Sequence, residues 1–307
     1  VKKKLLYAAL VLLLLVGGGI GFVSFKVGQP VTAPLPPIKA NTSPEAVARG
    51  AVIFHSMCEG CHRAPGSERV TGAHMVEVPS ALGTFYSANI TMDPTAGIGT
   101  LSDEQIARII RYGVNRHDRM TMMAQSAMSD EDIAAVLGFM RSGDPVFTPD
   151  PTQMPPTQLS LMGKVIIYTM GGLDVPDRPA SGIHAPARTD KLAYGRYLAH
   201  DVFDCAGCHS PGFDSKKGEG PEAFAGGFEF EDASGGKIVG PNITFHPTAI
   251  GNWSKEDFGV AIRDGLKPGG TGILRMPMPR FRGLEDDEVE ALYEYLKSKP
   301  QLATQAK

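Results

Sequence analysis

The chain has 307 residues, 42% of them hydrophobic, with 36 glycines and 24 prolines. It is about twice as long as a typical domain of ~100–150 residues, so two small, loop-rich units are expected. A formal charge of −3, from 30 basic and 33 acidic groups, excludes the basic surface on which nucleic-acid binding depends.

The N-terminus reads Val-Lys-Lys-Lys and continues into an uncharged apolar run, residues 5–25. At 1.5 Å per residue that run spans roughly the ~30 Å hydrocarbon core of a bilayer. A cleaved signal peptide has a shorter apolar region followed by a small-residue cleavage site, and no such site is evident. Residues 1–28 are therefore expected to be an uncleaved transmembrane helix, with the preceding lysines holding the N-terminus in the cytoplasm. Residues 29–42 carry four prolines among small residues and read as a semi-rigid spacer.

A first domain is expected over residues 43–145. Ser43 and Pro44 form an N-cap and first helical position. The helix they open carries Gly50 and Phe54 on one face, where a second helix can cross closely. The segment 130–141, acidic at its start and basic at its end, is the expected partner. Between the two, Asn89-Ile90-Thr91 lies in a turn-rich stretch, and Ser102-Asp103-Glu104-Gln105 is a capping box for a helix ending at Gly113.

Residues 146–187 form a proline-rich connector with one apolar run, 159–170, too short to cross a bilayer. A short helix packing between the domains is expected there, with a membrane-surface contact as the minor alternative. Residues 188–300 repeat the first domain. Asn242-Ile243-Thr244 matches Asn89-Ile90-Thr91, Ser254 opens a helix ending at Gly265, and residues 286–297 form the closing helix.

The chemistry sits in Cys58-Glu59-Gly60-Cys61-His62 and its twin Cys205-Ala206-Gly207-Cys208-His209. C-x-x-C-H is the attachment signature of haem c. Two thiols add across the porphyrin vinyl groups, and the adjacent histidine is held beneath the iron. A zinc site would have to join two distant motifs and leave both histidines unexplained. Two covalently bound haem c groups are expected, through Cys58, Cys61, Cys205 and Cys208, with His62 and His209 as proximal iron ligands. The thioethers consume every cysteine and leave no disulfide.

The sixth iron ligand separates electron carriers from enzymes. Methionines recur at matching positions before each closing helix, Met120 opposite Met276 and Met122 opposite Met278. Six other histidines compete: His55, His74, His117, His184, His200 and His246. None of them finds a histidine at its counterpart in the other repeat, although His117 or His74 remains a rival at the first haem.

Both halves resemble class I cytochrome c domains. The repeated order of the N-I-T turn, the capped helix, an I-R-x-G helix end and the methionine loop is similar to that of multihaem cytochrome c subunits of membrane-bound alcohol, aldehyde and sugar-acid dehydrogenases. That family commonly carries three haem domains, and the first loop here lacks the usual Met-Pro. The family's spacing from ligand to closing helix implies Met120 and Met276 as the iron ligands, with Met122 and Met278 as alternatives. The resemblance implies an all-α protein of two tandem class I cytochrome c domains joined by a Pro-rich connector, with an N-terminal transmembrane helix. It further implies a periplasmic dihaem electron carrier, anchored in the bacterial cytoplasmic membrane. Its redox partners would be a dehydrogenase large subunit or quinol-oxidising complex on one side and an oxidase, reaction centre or soluble cytochrome on the other. The alternative is a dihaem enzyme such as a cytochrome c peroxidase or thiosulfate dehydrogenase.

Overall fold

The computed structural model describes residues 2–121, 126–212, 219–232 and 234–304. Helix α1 (Lys2–Val27) is long and apolar enough to cross a membrane, and its side chains are mostly exposed.

In the first domain, Ser43 caps α2 (Pro44–Ile53) through its side chain, and the chain continues through a π turn (Phe54–Cys58) into the one-turn α3 (Glu59–His62). The capping box at Ser102 starts α4 (Asp103–Tyr112), and Gly113, in the left-handed region at φ 70°, ends it. Helix α5 (Asp130–Met140) crosses α2 where expected. A Cβ on Gly50 would lie 2.0 Å from the Ala135 carbonyl oxygen, so only glycine allows this approach. Phe54, Phe139 and Phe147 then meet edge to face with centroids 4.9–5.4 Å apart.

The second domain repeats this plan with α7 (Lys191–Tyr197), a π turn (Leu198–Val202), α8 (Cys205–His209), α9 (Lys255–Asp264) and α10 (Asp286–Lys297). A Cβ on Gly195 would lie 2.0 Å from the Ala291 carbonyl oxygen, as one on Gly50 would from that of Ala135. The fold is mainly helical rather than purely so. β1 (Gly83–Thr84) pairs antiparallel with β2 (Gln158–Leu159), and β3 (Glu229–Glu231) with β4 (Lys237–Val239). Both ladders are too short to organise a layer; they pin loops.

Helix α6 (Leu161–Thr169) corrects one expectation. It packs against α1 and the Ser80–Leu82 turn, not between the two domains. The reason is local. Pairing of β1 with β2 delivers the chain to Ser160, whose hydroxyl donates to the Ala81 carbonyl, and Gly163 then rests on the Leu82 carbonyl.

The domains share one continuous apolar cluster. At their contact Arg49 on α2 donates to Asp132 on α5 at 2.9 Å and to Glu288 on α10 at 2.5 Å. In return, the Tyr197 hydroxyl on α7 donates to Asp132 at 2.7 Å, and Tyr194 bonds Glu288 at 3.2 Å. Asp132 and Glu288 occupy equivalent places in the two repeats. Each domain thus sends one side chain from its first helix to the other's carboxylate.

Candidate haem-attachment sites

The first motif begins on the last residue of its π turn and continues through α3, and the second lies on α8, just after its own π turn. Residues three apart on a helix share a face, which aligns the two thiols of each motif beside the next histidine. In the second motif Asp204, held at φ 46°, caps the turn by accepting from the Gly207 N–H at 3.1 Å. All four thiols are unpaired. Burial, foremost, pushes Cys58, Cys205 and Cys208 up to about 12 and Cys61 to about 11. Among the described residues no three His, Cys, Asp or Glu side chains converge as a metal cage.

The histidines carry the firmest sign of what the motifs hold. His62 Nδ1 lies 2.8 Å from the Ala88 carbonyl, and His209 Nδ1 lies 2.8 Å from the Pro241 carbonyl. A carbonyl only accepts, so Nδ1 carries the proton in both rings and the Nε2 lone pair is left for a metal. Burial pushes both imidazoles below the ordinary histidine value, which favours the neutral form that a metal requires. The donor set of each motif, two adjacent thiols and one oriented neutral imidazole, fits a covalently held haem iron.

Nothing within the C-x-x-C-H motifs marks the acceptor carbonyls, yet a signal for them exists in the repeated N-I-T turn that follows each one. Asn89 accepts from the Thr91 N–H and hydroxyl at 2.9 and 2.8 Å and donates to the Asp150 and Thr152 carbonyls. Asn242 does the same with Thr244 at 2.8 Å for both bonds and donates to the Leu302 carbonyl. Thr91 and Thr244 are wholly buried. The motif is thus a rigid bracket for the histidine-orienting carbonyl. One residue earlier, the Ser87 hydroxyl donates to the Cys61 carbonyl at 2.6 Å. The matching Gly240 lets the chain pass where a Cβ would stand 2.1 Å from the Cys208 carbonyl oxygen.

The sixth-ligand candidates are placed unequally. Met120 is half-buried against Ala33, Tyr112 and Val114, while Met122 lies outside the described residues. Met276 is 64% exposed, and Met278 packs half-buried against the main core.

The other histidines have partners of their own. His74 is exposed and tilts over Tyr86, and His117 is exposed beside Arg116. His184 meets Glu131, and His246 meets Thr248. His55 and His200 require a correction, because they are counterparts. Each sits five residues after its crossing glycine, on the π turn, against the equivalent aromatic of the closing helix, Phe139 or Tyr295. The match is hidden because the second repeat carries two more residues between this histidine and its haem motif.

The loops that follow the two motifs also meet. Asp204 and then Cys61, from the other motif, add to burial in holding the Cys208 thiol up. Alongside them, the Glu231 N–H donates to the Glu77 carbonyl at 3.1 Å and the Ser80 N–H to the Glu231 carboxylate at 3.0 Å.

Residues 45–140 match the family model described as cytochrome c oxidase, cbb3-type, subunit III, and residues 193–300 match the model for cytochrome c. The chain carries two cytochrome c domains with two covalently bound haem c groups, one to each.

The chain is 29% identical to the cytochrome c subunit of the alcohol dehydrogenase (quinone) of Gluconacetobacter polyoxogenes, over 83% of this chain and 56% of that one. It is 26% identical to the fructose dehydrogenase cytochrome subunit of Gluconobacter japonicus, over 87% and 55%. It thus spans little more than half the length of these relatives. A diheme cytochrome c-type protein of Cereibacter sphaeroides is 24% identical over 97% of this chain and 99% of its own.

Proposed function

We propose that the chain carries single electrons for a membrane-bound dehydrogenase or quinol-oxidising complex and hands them to an oxidase, reaction centre or soluble cytochrome. The observation that carries this reading is the duplicated histidine geometry. One haem suffices for a simple shuttle, whereas two equally braced sites suit transfer along a chain. The names of the alcohol and fructose dehydrogenase relatives support a dehydrogenase large subunit as the donor.

When bound, each haem supplies an iron that cycles between ferric and ferrous states. The residues around it hold the site still. Ala88 and Pro241 fix the ring tautomer, Asn89 and Asn242 fix those carbonyls, and the buried Arg49–Asp132–Glu288 contact supports a constant distance between the sites. His62 with Met120 and His209 with Met276 would hold the two irons, with Met122 and Met278 as the alternatives; the half-buried packing of Met278 supports the alternative in the second domain. Helix α1 would anchor the protein in the cytoplasmic membrane, N-terminus inside, with both haem domains on the periplasmic side.

The test is kinetic. The reduced protein is mixed with carbon monoxide and, separately, with hydrogen peroxide, and its α band is followed. A carrier whose irons are both six-coordinate binds carbon monoxide slowly and is not oxidised at an appreciable rate by peroxide. Rapid carbon monoxide binding by half the haem would replace the carrier with a dihaem enzyme.

A further inference from the structure

Helix α6 has two unlike faces. Gly163 holds one of them against the first domain, where an added Cβ would stand 2.0 Å from the Leu82 carbonyl oxygen. At 100° per residue, Leu161, Val165 and Tyr168 form a stripe on the opposite side. These three side chains are 46%, 38% and 36% exposed, and Met162 beside them is 49% exposed. The helix carries one charge, Lys164, and no carboxylate.

What distinguishes this stripe from an ordinary exposed apolar patch is its neighbour. Helix α1 runs against α6 through its last turns, where Val23, Ser24 and Val27 are half-buried on one face. The Tyr168 ring meets Phe22 edge-on at 5.8 Å. Phe22 lies three residues inside the end of the apolar run 5–25, or ~4–5 Å below its outer limit at the rise of a helix. Lys26, with its ammonium 5.8 Å from the Phe22 ring, marks where charge begins. The depth of Phe22 is therefore the depth of Tyr168, at the boundary where tyrosine rings and amphipathic helices settle.

We propose that α6 is a second membrane contact, an interfacial helix whose Leu161–Val165–Tyr168 stripe lies in the outer-leaflet lipid beside α1. The inference rests on the anchoring of α1. It gives α6 a role beyond connecting the domains, because a single spanning helix leaves the haem domains free to swivel and tilt. A second contact clamped to the first domain through Ser160 and Gly163 fixes which face of the cytochrome pair looks along the membrane. The occupant is lipid: the stripe is continuous with the lipid-facing surface of α1.

The test uses the full haem-loaded chain in vesicles of phosphatidylethanolamine and phosphatidylglycerol. The native cysteines are consumed by haem, so a cysteine introduced by Val165→Cys takes a nitroxide label alone. Collision with oxygen, which concentrates in lipid, is compared with collision with a water-soluble nickel complex. Leu13→Cys serves as the lipid reference and Val260→Cys, on α9, as the water reference. The expected result is an oxygen-to-nickel ratio at position 165 close to that at position 13 and several-fold above that at 260. A ratio at 165 matching 260, while position 13 stays in lipid, overturns the interfacial helix and leaves the anchor standing. Nickel access at position 13 overturns the anchor and this inference together. Leu161→Cys, on the same stripe, replaces Val165→Cys if that variant fails to load haem.

Discussion

Arg49 and Glu288 are separated by most of the chain, yet the guanidinium of one lies 2.5 Å from the carboxylate of the other in the contact between the two cytochrome domains. Glu288 is 1% exposed, and Arg49 simultaneously holds Asp132. A charge buried this deeply is tolerable only while paired, so the contact locks the domains in one arrangement.

Arg49→Met should cost about 3–5 kcal/mol, the range for removing one partner of a buried pair. Denaturant titration followed by far-ultraviolet circular dichroism measures it. Adding Glu288→Gln to Arg49→Met should recover part of the loss, because it removes a buried carboxylate whose one remaining cationic partner among the described residues is Arg188 at 3.4 Å. Additive losses in the double variant would count against a coupled pair.

Each motif should hold its own haem. Acid acetone should leave all haem on the native protein, and alkylation without reductant should find no free thiol. His62 and His209 sit in separate brackets, so replacing both Cys205 and Cys208 by serine should remove one of the two haems, measured as pyridine haemochrome per chain. Loss of both haems would show that the second site is required for loading the first.

The axial methionine can be read from four single variants. Met276→Ala and Met120→Ala should each abolish one methionine–ferric haem charge-transfer band and lower one midpoint potential, as loss of an axial methionine implies. Met278→Ala should then cost only the ~1–2 kcal/mol of a partly buried side chain. If Met278→Ala removes the band and Met276→Ala does not, the ligand lies two residues later, and Met122→Ala becomes the matching test in the first domain.

Stability should fall in acid partly through His200. Its Nε2 accepts from the Tyr295 hydroxyl at 2.7 Å, and burial holds that phenol up at about 12, well able to donate. Burial first, then Arg196 and Lys299, push the His200 imidazole down to about 4. The unfolded chain takes up its proton near pH 6.5, whereas the native chain refuses it until about 4. The contribution is therefore complete above pH 6.5 and is lost as the pH falls towards 4, by about 2–3 kcal/mol. His200→Gln keeps an acceptor for Tyr295 but cannot titrate. Denaturation midpoints across that window should be flatter in His200→Gln than in the native protein.

Gly195→Ala should be worse tolerated than an ordinary surface substitution, since its methyl group would meet the Ala291 carbonyl at 2.0 Å. Forcing α7 away from α10 should cost more than ~2 kcal/mol, in the upper range for overpacking. The thermal midpoint and the yield of haem-loaded protein report it. The equivalent Gly50→Ala should behave alike.

The features legible without the structure are those decided within a few residues of themselves. The two C-x-x-C-H motifs name their cofactor because attachment and ligation are local chemistry. Ser43, Ser102 and Ser254 announce their helices because a cap satisfies backbone donors two or three residues away, and Gly113 and Gly265 end theirs by adopting a left-handed conformation. Even the α2–α5 crossing at Gly50 could be anticipated, since a missing side chain invites a neighbour.

What only the tertiary structure decided is how distant pieces meet. The tautomer of His62 depends on a carbonyl 26 residues away and that of His209 on one 32 residues away. No periodicity encodes such a pairing, because it exists only after the chain has doubled back. The Arg49–Glu288 link, the kinship of His55 with His200 behind a two-residue offset, and the seating of α6 against α1 have the same origin. Each is a contact whose free energy is gained when surfaces already built by local rules close on one another, and a linear pattern carries no record of which surfaces those will be.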